Sequence, residues 1–325
     1  GLSTGYAAKL HSGVLYLGTN RGLFCCDWQK LCDKSSNKQF EIIPNTQGQV
    51  WNLSIINNRL FCGHNSGIFI VEGNRARLIS DIQGGWTFMQ PKHKNDIILC
   101  GTYTGIIKLA KQNGRWVSTG KLKGFKESSR SLVAGKNNSA WMAHGYKGIF
   151  KIAFDKHYDS ITNFRLYNSN NGFPADRNLN VHKIFNQVVF TTGNGFYKFD
   201  EKSNSFSPHT ELNEKLPREN IRFVHEDQEG NIWYFTEVNA GVYRRQEDGT
   251  YVDVNVPFKE LKGRFIKWFQ MVYPINKDHV VFGLQNGFAF YTPEYSKNYQ
   301  QPFNSFIRKL TLTKTDSILF FGKTN

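Results

Sequence analysis

The chain has 325 residues, 15% of them aromatic, and 41 Lys and Arg against 26 Asp and Glu leave a net charge of +15. No window approaches the roughly 18 consecutive apolar residues of a membrane-spanning helix, and five cysteines without paired spacing make neither a disulfide framework nor a zinc site. The basic balance favours an anionic partner; yet the cations are scattered, without the like-charged block of a nucleic-acid-binding arm, so no direct nucleic-acid contact is expected.

Taken in order, the chain repeats one pattern of strand, tight turn and strand. The copies are 15–26 (LYLGTNRGLFCC), 60–71 (LFCGHNSGIFIV), 98–109 (ILCGTYTGIIKL), 140–152 (AWMAHGYKGIFKI), 188–199 (VVFTTGNGFYKF), 230–245 (GNIWYFTEVNAGVYRR) and 280–291 (VVFGLQNGFAFY). Their turn glycines are Gly22, Gly67, Gly105, Gly148, Gly195, Gly241 and Gly287, separated by 45, 38, 43, 47, 46 and 46 residues. A period in the low to middle forties is the size of one four-stranded propeller blade. The sequence therefore predicts an all-β fold, a seven-bladed β-propeller of four-stranded antiparallel blades, over 1–302.

The sixth unit parses most clearly. Strand A is expected near 221–226, strand B near 231–236, strand C near 242–245 and strand D near 251–254, with turns at 227–230 and 237–240. The turn glycines are expected to hold positive φ. The first strand begins near Tyr6, so ring closure is expected from packing of blade seven on blade one, with exchange of a terminal strand as an option. The tail, 303–325, departs from the repeat. It reads either as the outer strand of blade seven, near 306–312, or as the start of a following domain. The chain does not begin with Met, and it reads as an excised piece of a longer protein.

Strand direction decides which loops share a face. D–A connections and B–C turns should surround one mouth of the central channel, where residues far apart in sequence can converge. The B–C turns supply Asn20, Arg21, His64, Asn65, Tyr103, Tyr146, Lys147, Asn194, Asn239 and Gln285. The D–A connections supply Trp51, Trp86, Arg130, Asn178, His182, Arg222 and Lys267. Aromatic faces beside amides and cations suit a sugar, whose C–H faces stack while its hydroxyls need polar partners. The ligand-binding candidates are Arg21, His64, Trp86, Tyr103, Arg130, Tyr146, Lys147, His182, Arg222 and Lys267. Against this, Trp51 and Trp86 can equally pack between blades, and His64 and His144 read as hydrogen-bonded structural histidines.

Catalysis is not expected. The carboxylates on that face (Asp81, Glu127, Asp176, Glu219 and Glu237) form no motif-marked pair. No GxSxG, HExxH or phosphate-cradling loop is present, and no cofactor or metal is expected. The Gly-His and Trp-Asp dipeptides of tryptophan–aspartate repeats do not recur at the repeat period.

The sixth unit carries a further signal. Glu226-Asp227-Gln228-Glu229-Gly230-Asn231-Ile232-Trp233, followed by Thr236, Gly241 and Tyr243, resembles the repeat of the two-component regulator propeller family. The other units are more degenerate, keeping the Gly turn and often losing the Gly-Asn-Ile-Trp part. The tail, 291–321, resembles the start of the three-tyrosine immunoglobulin-like domain that follows such propellers. The resemblance implies the periplasmic sensor region of a bacterial regulator, with a membrane helix leading to a histidine kinase, often hybrid, or to a helix-turn-helix output. It implies an oligosaccharide or another small molecule as ligand, and Arg130, Lys147, Arg222 and Lys267 add recognition of a carboxylate or sulfate as an option. It also implies a neighbouring three-tyrosine domain and allows a homodimer. The alternative is a protein-interaction or dimerisation propeller without a small ligand. A concave aromatic–polar cavity would favour the first reading and a flat apolar rim the second.

Overall fold

A computed structural model describes residues 3–33, 40–216, 220–293 and 307–322. Seven antiparallel sheets follow one another along the chain, each built from consecutive strands. Their innermost strands, A, are Gly5–His11, Val50–Ile56, Thr87–Met89, Val133–Ala134, Asn180–Ile184, Phe223–Glu226 and Val272–Asn276. This is the seven-bladed propeller that the repeat predicts. Six sheets have four strands among the described residues, and blade seven has its three inner ones.

The alternation along each strand B explains the ring. In blade six, Ile232, Trp233, Tyr234 and Phe235 are all buried, at 0%, 4%, 1% and 0% exposure. Successive side chains point to opposite faces. Ile232 and Tyr234 accordingly pack with Ile184, Val189 and Phe196 of blade five, while Trp233 and Phe235 pack with Val272, Val280 and Phe282 of blade seven. Among the described residues seven apolar clusters form, one at each junction of adjacent blades. At the last junction Ala8, Leu15 and Leu17 of blade one meet Val281 of blade seven. There the Thr4 hydroxyl donates to the Gln285 carbonyl (3.0 Å), and the Leu10 N–H donates to the Tyr273 hydroxyl (3.2 Å). Among the described residues the ring closes by packing, with no strand exchanged.

Two local devices shape the turns. The first is the B–C turn. Thr19, Thr102 and Thr192 each donate a hydroxyl to the carbonyl of the turn glycine three residues on, at 2.9, 2.9 and 3.1 Å. Six turn glycines hold positive φ, among them Gly67 at 147° and Gly148 at 122°. At those two positions a Cβ would also overlap the carbonyl oxygens of Ser80 and Tyr167. Gly241 departs from the expectation. In blade six Asn239 stands three residues after Thr236, where the other threonine turns have glycine, strand C begins at Ala240, and Gly241 lies within the strand opposite Tyr234. Its need for glycine is space: a Cβ there would overlap the Tyr234 phenol, which donates to Asp253 Oδ1 at 2.6 Å.

The second device is the A–B turn of blade six. Asp227 Oδ1 accepts from the backbone N–H groups of Glu229 and Asn231 (3.0 and 2.9 Å). Its Oδ2 accepts from Asn231 Nδ2 and from the indole of Trp233 (3.0 and 2.8 Å). The Asp…Gly-Asn-Ile-Trp run is thus a structural clamp that spends its carboxylate on the turn.

The chain divides into two compact units, Gly1–Glu294 and Tyr295–Asn325. In the second, Lys309–Thr311 pairs with Ile318–Phe321 as a two-stranded sheet. Residues 303–306 lie outside the described residues, as do 323–325. No helix among the described residues is long and apolar enough to cross a membrane.

Removing the clamp should be costly, because hydrogen bonds to a charged group contribute about 1.5–3 kcal/mol each and act here on one turn. Asp227→Ala is expected to lower the unfolding free energy by about 2–4 kcal/mol, measured as a shift of the urea midpoint at unchanged slope. A change below about 0.5 kcal/mol, the usual range of an unremarkable surface substitution, would contradict the clamp.

Candidate functional site at the channel mouth

Because strand A is innermost in every blade, its N-terminal end opens directly on the axis. All seven blades use that position at the same mouth. A cavity of about 280 Å³ is lined by Tyr6 of blade one, Trp51 of blade two, Trp86 of blade three and Arg130 of blade four. Asn178, Asn180 and His182 of blade five, Arg222 of blade six, and Trp268 and Phe269 of blade seven complete the ring. Its size is close to the lower end of the range for small-molecule sites.

The floor is aromatic. The Trp51 and Trp86 ring centroids lie 4.3 Å apart, with planes at 39°. Phe269 stacks on both, 5.3 Å from Trp51 at 25° and 5.8 Å from Trp86 at 23°. Tyr6 meets Trp51 edge-on at 5.4 Å, and the Arg130 guanidinium carbon sits 4.3 Å over the Phe269 ring. Burial lowers the Arg130 pKa. The Trp51 indole donates to the Tyr103 hydroxyl at 2.8 Å, which fixes that ring from behind. Trp268 holds φ at 69°, a left-handed backbone unusual for a bulky residue, with its side chain 40% exposed. Such strain costs on the order of 1–3 kcal/mol and persists where surrounding structure imposes it.

The polar atoms of the mouth are incompletely used. Trp86 Nε1 and Arg222 Nη1 are buried without a hydrogen-bond partner in the protein. A buried unsatisfied donor costs roughly 1–3 kcal/mol, so both favour an incoming acceptor. A side recess of about 150 Å³ shares Asn178, Arg222, Trp268 and Gln270 with the main cavity and adds Glu237 and Lys267. Lys267 Nζ lies 3.1 Å from Glu237 Oε1, whereas Arg222 Nη2 stands 4.0 Å from Oε2. A hydrogen bond and the charge of Lys267, then the charge of Arg222, hold the Glu237 carboxyl below the usual range.

No family model matches the sequence, and no curated protein matches it. Solved structures do. The extracellular domain of BT3049 from B. thetaiotaomicron, described as a hybrid two-component system, superposes with a TM-score of 0.64 at 17% identity, covering 98% of this chain and 44% of that one. The extracellular domain of BT4673 from the same organism, described as a one-component system, gives 0.55 at 14%, covering 89% and 38%. Virginiamycin B lyase from Staphylococcus aureus gives 0.55 at 10%, covering 88% and 93%. What these chains share with the present one is the fold. The chain spans less than half the length of the two extracellular domains.

Of the residues singled out in the sequence, Trp86, Arg130, His182 and Arg222 line the main cavity, and Lys267 joins Arg222 in the recess. Tyr103 stands against Trp86, ring centroids 5.1 Å apart. Four do not join them. Arg21 is exposed on its turn. His64 is 1% exposed, and its Nδ1 accepts from the Ser66 N–H at 3.1 Å, taking over the turn-capping work of the threonines. Tyr146 is 81% exposed, and Lys147 reaches Glu127 at 2.8 Å. The physical reason is position: B–C turns begin from the second strand, one step farther from the axis. His144 caps its turn as His64 does, through the Tyr146 N–H (3.2 Å), yet it also lines the cavity.

Tyr6, Trp268 and Phe269 were not singled out in the sequence. The signal that finds them is distance from the turn glycine. Tyr6, Trp51, Trp86, Arg130, Asn178, Arg222 and Phe269 all precede theirs by 16–19 residues.

Burial drives the His182 imidazole down to about 3, and burial together with the charge of Lys9 drives that of His225 to about 4. The ordinary value is about 6.5. Between that value and these, the unfolded chain takes up protons that the folded chain refuses, so stability is full above about pH 6.5 and falls as pH drops toward 4. Urea unfolding at pH 7 and pH 5 should show this loss, and His182→Gln should reduce it. An unchanged pH slope in the variant would contradict burial of a neutral imidazole.

Proposed function

We propose that this chain is the ligand-sensing propeller of an extracytoplasmic bacterial signal-transduction regulator, and that its mouth recognises an oligosaccharide. The observation that carries the reading is the mouth itself: a concave aromatic floor ringed by amides and guanidinium groups, with two buried donors lacking partners. Stacked aromatic faces match the C–H face of a sugar ring, and unpaired donors match its hydroxyls. The likeness in fold to extracellular domains of bacterial regulators supports the sensor role and a periplasmic location.

A binding role also fits the carboxylates. Glu127 is held by Lys147 and lies 3.6 Å from His144, Glu237 is held by Lys267, and Asp176 accepts from the Ser169 N–H at 2.8 Å. Glu219 lies outside the described residues. A concave mouth of this kind favours ligand recognition over flat protein docking. In the longer protein, ligand at the mouth would shift an equilibrium between output states by its differential affinity for them, whether the output is a kinase or a DNA-binding domain.

The test is a thermal-shift screen of this domain against neutral, carboxylated and sulfated oligosaccharides. A ligand of the folded state at 100 times its Kd should stabilise by about 2.7 kcal/mol and raise Tm with dose. Trp86→Ala and Arg130→Ala should each weaken binding by about tenfold or more, equivalent to about 1.4 kcal/mol. No saturable shift with any oligosaccharide would overturn the carbohydrate reading.

A further inference from the structure

Arg222 carries a buried, unpartnered nitrogen, Nη1, at the mouth. Its side chain is 15% exposed. Its nearest carboxylate, Glu237, stands off at 4.0 Å, drawn outward by Lys267 at 3.1 Å. A guanidinium binds a carboxylate or sulfate best through two parallel hydrogen bonds near 2.8 Å, and a largely buried charge needs such closeness to offset its lost hydration. The Glu237 side chain, by contrast, is 55% exposed and can move into solvent at small cost.

Resting on the carbohydrate reading above, we propose that the recess between Arg222 and Lys267 is an anion subsite that takes the carboxylate or sulfate ester of an acidic sugar, and that Glu237 is its built-in competitor. The sugar ring lies over the aromatic floor, and its acidic group enters the recess between the two cations. Glu237 releases Lys267 as the ligand's anion takes its place. Asn178 and Gln270, which line the recess, are positioned for the remaining oxygens. The subsite thus selects acidic over neutral sugars by attraction to Arg222 and Lys267, while competition from Glu237 moderates that preference and turns away weak anions that fail to displace it.

The experiment compares, by calorimetry, a uronic-acid oligosaccharide with its carboxyl-reduced counterpart, and titrates inorganic sulfate alone while following the Trp268 indole N–H signal. The wild-type domain is expected to bind the acidic sugar at least about tenfold more tightly than the reduced one. Glu237→Gln, which keeps the shape and removes the charge, should widen that ratio by about threefold or more and strengthen sulfate binding. Arg222→Gln and, should that variant fold poorly, Lys267→Met should collapse the ratio toward one. An acidic-to-neutral ratio unmoved by Glu237→Gln, or unmoved by loss of either cation, would overturn the subsite. If no oligosaccharide binds while sulfate binds through Arg222 and is strengthened by Glu237→Gln, the subsite stands and the carbohydrate reading falls. If sulfate also leaves the Trp268 signal untouched in every variant, the subsite falls with it.

Discussion

The inner strands of the ring are buried on both faces, and the period-two alternation of their side chains must satisfy two neighbours at once. Leu15 and Leu17 face blade seven while Tyr16 faces blade two. Phe61 faces blade three while Leu60 and Cys62 face blade one. A blade shifted by one residue would exchange its two interfaces and fit neither. This constraint fixes the register of every blade relative to the next and brings the seven strand-A openings to one mouth. Each fully buried Leu, Ile or Phe contributes roughly 1.5–3 kcal/mol, so the ring is held by many modest junctions.

The mouth is consequently a collective property. Every blade contributes to the lining, and no two of the three floor residues Trp51, Trp86 and Phe269 come from the same blade. Their mutual stacking depends on the junctions behind them. A ligand spread across this floor would touch residues from several blades and so report on the arrangement of the whole ring. The strained backbone at Trp268 and the buried Arg222 nitrogen without a partner sit beside each other at this place.

Much of the fold is legible in the sequence because the devices that shape its turns are local. The turn glycines, the Thr three positions before them and the Asp227 to Trp233 clamp all act within a few residues. Gly241 looks identical in a string but lies in a strand, because Asn239 takes the turn position three residues after Thr236 and Gly241 falls opposite Tyr234. The site was legible as a face and less so in detail. Strand-A residues converge because that strand is innermost, whereas His64, Tyr146 and Lys147 sit on turns one strand farther out. Phe269 and Trp268 escaped notice because the loops before strand A vary in length, so that alignment on strand patterns blurs there. The helix Trp28–Cys32, inserted before the outer strand of blade one and capped by Asp27, had no repeat to announce it.

The most direct test of the account is the set of seven tryptophan indole N–H signals, followed by NMR during titration with an acidic oligosaccharide. Trp51, Trp86 and Trp268 line the mouth, while Trp116, Trp141 and Trp233 are buried between blades at 4% exposure each. The account predicts saturable shifts of the first three, with Trp86 moving most as its unpaired N–H gains an acceptor, and still signals from the latter three. Shifts confined to Trp116, Trp141 or Trp233, or saturable binding that leaves all three mouth signals in place, would contradict it.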